Sequence, residues 1–133
     1  MANDSVEPAA APTARRGRLH PHNVVIDVTD HDVVVPFWET ALGWTVHRIN
    51  DQFVALRPPA DQAIGFDILF QKVPEPKTAK NRAHIDFDAD DIDTEVARLV
   101  ALGGAVVDAH SLGSFRWTIV ADPEGNEFCV TIR

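Results

Sequence analysis

The chain has 133 residues, 45% of them hydrophobic, with a formal charge of −8 and a single cysteine. That is enough chain for one globular domain with a sizeable core. One cysteine excludes an internal disulfide and suits a reducing cytoplasm. The charge repels phosphate backbones, and no apolar stretch approaches the ~20 residues that cross a bilayer, so neither nucleic acid nor membrane is an expected partner.

The opening stretch, "MANDSVEPAAAPTARRGRLH", is rich in Ala, Pro and Arg, and has neither periodicity nor an apolar signal segment. Residues 1–18 are expected to be a disordered tail before a domain spanning 19–133. Arg15, Arg16 and Arg18 against Asp4 and Glu7 give that tail one net positive charge, leaving about −9 on the remainder.

From Asn23 the pattern becomes regular. Val24, Ile26 and Val28 alternate with Asn23, Val25 and Asp27, which predicts a strand with one apolar and one mixed face. A helix follows, expected to become regular near Pro36, whose ring breaks an interior hydrogen bond. It ends at Leu42-Gly43, where Gly suits a left-handed cap. Strands are predicted at 44–49, 52–57 and 64–73. The segment 74–82 reads as a linker.

The unit then repeats. Residues 23–46 align with 84–107, placing Asn23 on His84, Asp30 on Asp91 and, after a one-residue gap, Ala41-Leu42-Gly43 on Ala101-Leu102-Gly103. Ile85 and Phe87 oppose His84, Asp86 and Asp88 on the second leading strand. Asp90 or Asp91 caps the second helix, with Asp93 and Glu95 in its first turn, where acids favour the helix dipole. "DFDADDID" lacks the Gly and closing Glu of a calcium loop, so its acids are read as caps and solvated turn residues. Strands follow at 105–109, 116–121 and 127–132. The last two are joined by "DPEGN", whose Asp122, Pro123 and Gly125 fit a type I turn within a hairpin.

The fold class is therefore α+β, with two βαβββ modules over 19–73 and 83–133. In the closing strands Phe66, Ile68 and Phe70 oppose Asp67, Leu69 and Gln71, while Phe128, Val130 and Ile132 oppose Cys129 and Thr131. The apolar faces are expected to pack on the helices. The polar faces meet solvent or line a shared cavity.

The paired βαβββ repeat, the strand opening "HIDF" and the closing "DPEGNEFCV" resemble the vicinal oxygen chelate superfamily over about residues 20–133. That superfamily includes glyoxalase I, extradiol dioxygenases and the fosfomycin and bleomycin resistance proteins. The resemblance implies an open, curled mixed sheet around a cavity, a small-molecule ligand and a homodimer. In metal-dependent members, ligands come from the first and fourth strands of each module. The matching positions here are Asn23, His84 and Cys129, with Asp67 given by the internal repeat and Leu69 and Gln71 sharing its parity. Of these, only His84 keeps a residue type that such members use. The metal-bound general base of glyoxalase I is a glutamate, and none stands at these positions.

The expectation is a protein that binds a small molecule between its modules and holds no stoichiometric metal. The alternative is a metal-dependent lyase, isomerase or dioxygenase, with any metal on His84, Asp67 and Cys129. Candidate ligand-binding residues are Asn23, Asp27, Asp67, Gln71, His84, Asp86, Trp117 and Cys129. The period of two does not settle which face Trp117 occupies.

Overall fold

The computed structural model describes residues 17–132. The tail expected over residues 1–18 falls almost wholly outside them. The first module runs β1 (Asn23–Val28), α1 (His31–Leu42), β2 (Thr45–Arg48), β3 (Phe53–Arg57) and β4 (Asp67–Lys72). The second runs β5 (Asp86–Ala89), α2 (Ile92–Ala101), β6 (Ala105–Leu112), β7 (Phe115–Ala121) and β8 (Glu127–Ile132). Each module forms an open four-stranded mixed sheet, ordered β1-β4-β3-β2 and β5-β8-β7-β6. The last strand returns beside the first and runs parallel to it, and the other pairs are antiparallel. The paired α+β modules expected from the repeat are present.

Both helices start in the same way. Asp30 and Asp91 are extended N-caps, and their carboxylates accept from the backbone N–H of Asp32 at 2.9 Å and of Thr94 at 3.2 Å. The first helix therefore begins at His31, five residues before the Pro36 start expected from the sequence. Pro36 removes one donor, but the carbonyl that loses it belongs to the exposed Asp32, where water can replace the bond. The aspartate cap outweighs the proline. At the far ends, Gly43 adopts φ 68 and closes α1 onto the Glu39 carbonyl, while Gly103 and Gly104 close α2 onto Val100 and Leu99.

Two strand limits differ from the periodic reading by three residues. The first module's last strand starts at Asp67 rather than 64, because Ile64 turns back to hydrogen-bond the Gln62 carbonyl. In the second module β6 continues to Leu112 and meets β7 through a tight turn at Gly113. Its end, "HSL" before the Gly113-Ser114 turn, has a loop-like composition, but pairing with β7 holds it extended, and the His110 ring stacks on Trp117.

The apolar faces and both helices share one core, in which Val28, Val34, Val54, Leu56, Ile68, Phe70 and Val120 are at most 1% exposed. Helix α1 also reaches the second module. Trp38 packs on Phe87 and Phe128 with ring centroids 5.8 and 4.7 Å away. Arg98 of α2 donates to the Thr40 and Ala41 carbonyls at 3.4 and 3.0 Å. It thus supplies the cation that the last turn of α1 lacks.

The "DPEGN" turn does more than reverse the chain. Gly125 N–H closes it on the Asp122 carbonyl at 2.9 Å. Glu124 then reaches into the first module, accepting from Thr29 N–H at 2.7 Å, the Thr29 hydroxyl at 2.9 Å and Asp30 N–H at 2.8 Å. Asp122 accepts from the indole of Trp38 at 3.0 Å. The turn clasps the β1–α1 junction of the other module.

Candidate functional site

The strand register assigns the polar faces. In the first sheet Asn23 lies opposite Asp67, Val25 opposite Leu69 and Asp27 opposite Gln71, so the four candidates Asn23, Asp27, Asp67 and Gln71 share one face. Asp67 is ion-paired there with Arg57, Nε to Oδ2 3.3 Å. In the second sheet Asp86 lies opposite Cys129, Cys129 opposite Ile119, and Thr131 opposite Trp117. Trp117 therefore shares the face of Asp86 and Cys129, which the sequence alone left open. Phe115 and His110 flank its ring at 5.4 and 5.3 Å.

The register also resolves the fourth-strand ambiguity. Asp86 is the repeat counterpart of Val25, so the residue opposite Val25, Leu69, is the first-module counterpart of Cys129. Leu69 has no donor atom. Asp67 instead matches Glu127, two residues earlier on the closing strand.

Three candidates converge. The exposed His84 and Asp86 and the buried Cys129 place one potential ligand atom each within 4.8 Å of one another. His84 Nε2 is 3.2 Å from Asp86 Oδ1. The spacing explains the meeting. His84 stands two residues before Asp86, just ahead of β5 rather than within the strand as expected, and the parallel register sets Cys129 beside Asp86. Asp67, expected as the carboxylate partner of His84 and Cys129, stands with Arg57 in the other sheet, and Asp86 is the acid at this corner. The parity of 84 and 86 carried that signal in the sequence.

Burial pushes the Cys129 thiol above its ordinary value, and the Asp86 charge and a hydrogen bond to its carboxylate push the same way; Glu127 adds to the rise, while Lys80 opposes it. The thiol is therefore the resting form, and its nucleophilicity is low at neutral pH. Because the folded value lies above the unfolded one, stability from this group is complete below pH ~9.0 and is lost as pH rises through the folded value. Alkylation of native Cys129 by iodoacetamide is expected to lag behind unfolded chain between pH 7 and 9, and to keep rising where a free thiol has levelled off. Asp86→Asn should move that profile to lower pH. A native profile that coincides with the unfolded one would show that the carboxylate does not act on the thiol.

These residues suit a divalent, thiophilic ion in kind. Thiolate, imidazole and carboxylate are zinc donors, and three protein ligands leave a position for water or substrate. Two cavities lie away from this corner and from all eight candidates. One, of about 440 Å³, sits between the helices, and the other, of about 330 Å³, lies beside the start of α1.

Paired βαβββ modules with opposed apolar and polar faces define a vicinal oxygen chelate protein. The sequence matches the family described as glyoxalase-like domain over residues 23–131, and the chain belongs to that family. Its fold is shared with a glyoxalase/bleomycin resistance protein from Albidiferax ferrireducens T118, at 21% identity and TM-score 0.62, over 84% of this chain and 96% of that one. A glyoxalase/bleomycin resistance protein/dioxygenase family enzyme from Burkholderia phytofirmans PsJN is similar at 18% identity and TM-score 0.67, over 83% and 95%. Lactoylglutathione lyase from Agrobacterium tumefaciens is similar at 18% identity and TM-score 0.63, over 88% and 96%. At these identities the likeness is one of fold. No curated protein matches the sequence. Among the described residues, no helix is long and apolar enough to cross a membrane.

Proposed function

We propose that this protein binds a small molecule against the polar faces of its two sheets, with His84, Asp86 and Cys129 as the reactive corner. The observation that supports this reading is the convergence of those three side chains, two of them on the sheet face that also carries Trp117. Asn23, Asp27, Asp67 and Gln71 supply a second polar wall of amides and carboxylates. An imidazole and a carboxylate hydrogen-bond hydroxyl or amine groups of a ligand, and the indole offers apolar contact. A homodimer in the cytoplasm belongs to the same reading. Light scattering that returns a 14.6 kDa monomer would remove the dimer from it.

The three-donor geometry favours one alternative, a metal-dependent lyase, isomerase or dioxygenase. An ion held by His84, Asp86 and Cys129 would supply Lewis-acid chemistry. Against it, the first module contributes Leu69 at the position of Cys129, and the thiol must lose a proton that burial and Asp86 help it keep. Elemental analysis of protein purified without chelators is expected to find well under one equivalent of zinc, iron, nickel or manganese. One equivalent, lost in His84→Ala, would make the metal-dependent reading the leading one.

A further inference from the structure

The two modules are not equal copies where their helices meet the sheets. In the first, Val28 at the end of β1 and Val34 on α1 are 1% and 0% exposed, and they close the space between strand and helix. The repeat places Ala89 and Glu95 at the same two positions of the second module. A methyl and a carboxylate do not fill what two valines fill. The cavity of about 440 Å³ lies at this point, bordered by both residues and by Ala41 of α1.

Its floor is aromatic and aliphatic, with Trp38, Phe87, Phe128 and Leu99 among the lining residues. Asp88, Asp90, Asp91 and Glu95 also line it, and no Lys, Arg or His does. Glu95 is paired with Arg98, and Asp91 caps α2, so the acids already have structural work. The lining still carries more negative than positive charge, in a domain of net charge about −9. The volume falls within the range of small-molecule pockets.

We infer that this helix-side cavity is a second binding site, separate from the polar sheet faces, and that it takes a small aromatic or branched ammonium ion. The apolar body meets the aromatic and aliphatic floor. The acidic lining favours a cation over a neutral molecule of the same shape and excludes an anion.

The test uses 1-naphthylmethylammonium, the neutral 1-naphthylmethanol and the anionic 1-naphthoate, titrated into the full chain. The readout is the indole N–H signals of the three tryptophans. Trp38 lines the cavity, whereas Trp117 lies on the polar sheet face, so the signal that moves reports which site is filled. The ammonium ion is expected to shift the Trp38 signal and to bind about tenfold more tightly than the alcohol. The naphthoate should not bind. Glu95→Gln should narrow that preference. Ala89→Val copies the residue that fits at Val28 and should abolish binding while the amide spectrum stays dispersed. Equal binding of ammonium ion and alcohol would overturn the inference, as would a shift confined to Trp117. So would undiminished binding in both Ala89→Val and a second filling variant, Ala41→Phe. A failure at Trp38 leaves the polar-face reading standing, because that site reports through Trp117.

Discussion

Asp122→Ala is expected to cost about 3–5 kcal/mol and to lower the melting temperature by about 10–20 °C. Asp122 is only 3% exposed. Its carboxylate accepts from Glu124 N–H at 2.9 Å, Asn126 N–H at 3.0 Å, the Asn126 amide at 3.1 Å and the Trp38 indole at 3.0 Å. All four donors are neutral, so the charge is compensated by oriented N–H groups rather than by a cation. Removing the acceptor strands the buried indole N–H and releases the turn that holds Glu124 against Thr29 and Asp30. Asp122→Asn keeps an oxygen for some donors but turns an N–H₂ toward others, and should fall between wild type and Ala. In a double-mutant cycle with Trp38→Phe, the two sites should couple, because they share one bond. Additive losses would show that the bond between modules carries no energy, and an Asp122→Ala cost below about 1 kcal/mol would remove the clasp from the account of stability.

Phe70→Asp is expected to leave the chain largely unfolded at 25 °C, whereas Gln71→Leu, one residue on, should change stability by less than about 1 kcal/mol. Phe70 is fully buried in β4, between β1 and β3, in contact with the shared core. Aspartate there loses the aromatic volume and buries a charge with no partner, a loss comparable with the whole stability of a domain this size. Gln71 faces the other way, opposite Asp27 and Phe53, and is only half-buried. Circular dichroism melts of the two variants measure the asymmetry directly. Similar large losses from both would mean that the polar face is buried like the apolar one, and would remove the ligand surface proposed for it.

Much of this architecture was legible from order and alternation. The 61-residue repeat set Asp30 on Asp91, one of two residues read as the cap of the second helix, and the period of two separates Phe70 from Gln71. These features are local. An aspartate caps the helix that follows it, and a strand's parity is set by its own backbone. The first cap, at Asp30, was missed because the Pro36 rule pointed to a later start, although the alignment with Asp91 held the signal.

Contacts between segments far apart in the chain were decided only by the tertiary structure. Alternation shows that Asp67, Leu69 and Gln71 share a face but not which of them matches Cys129, because a slip of two residues preserves parity. The parallel pairing of Asp86 with Cys129 settled that, and brought the thiol to the His84–Asp86 pair while Asp67 stayed in the other sheet. Glu124 reads in the sequence as a turn residue. Its three bonds to Thr29 and Asp30 span more than 90 positions, and no local rule encodes them. The sequence determined which residues each face carries, because that depends on neighbours along the chain. The packing of one module on the other determined which of them meet.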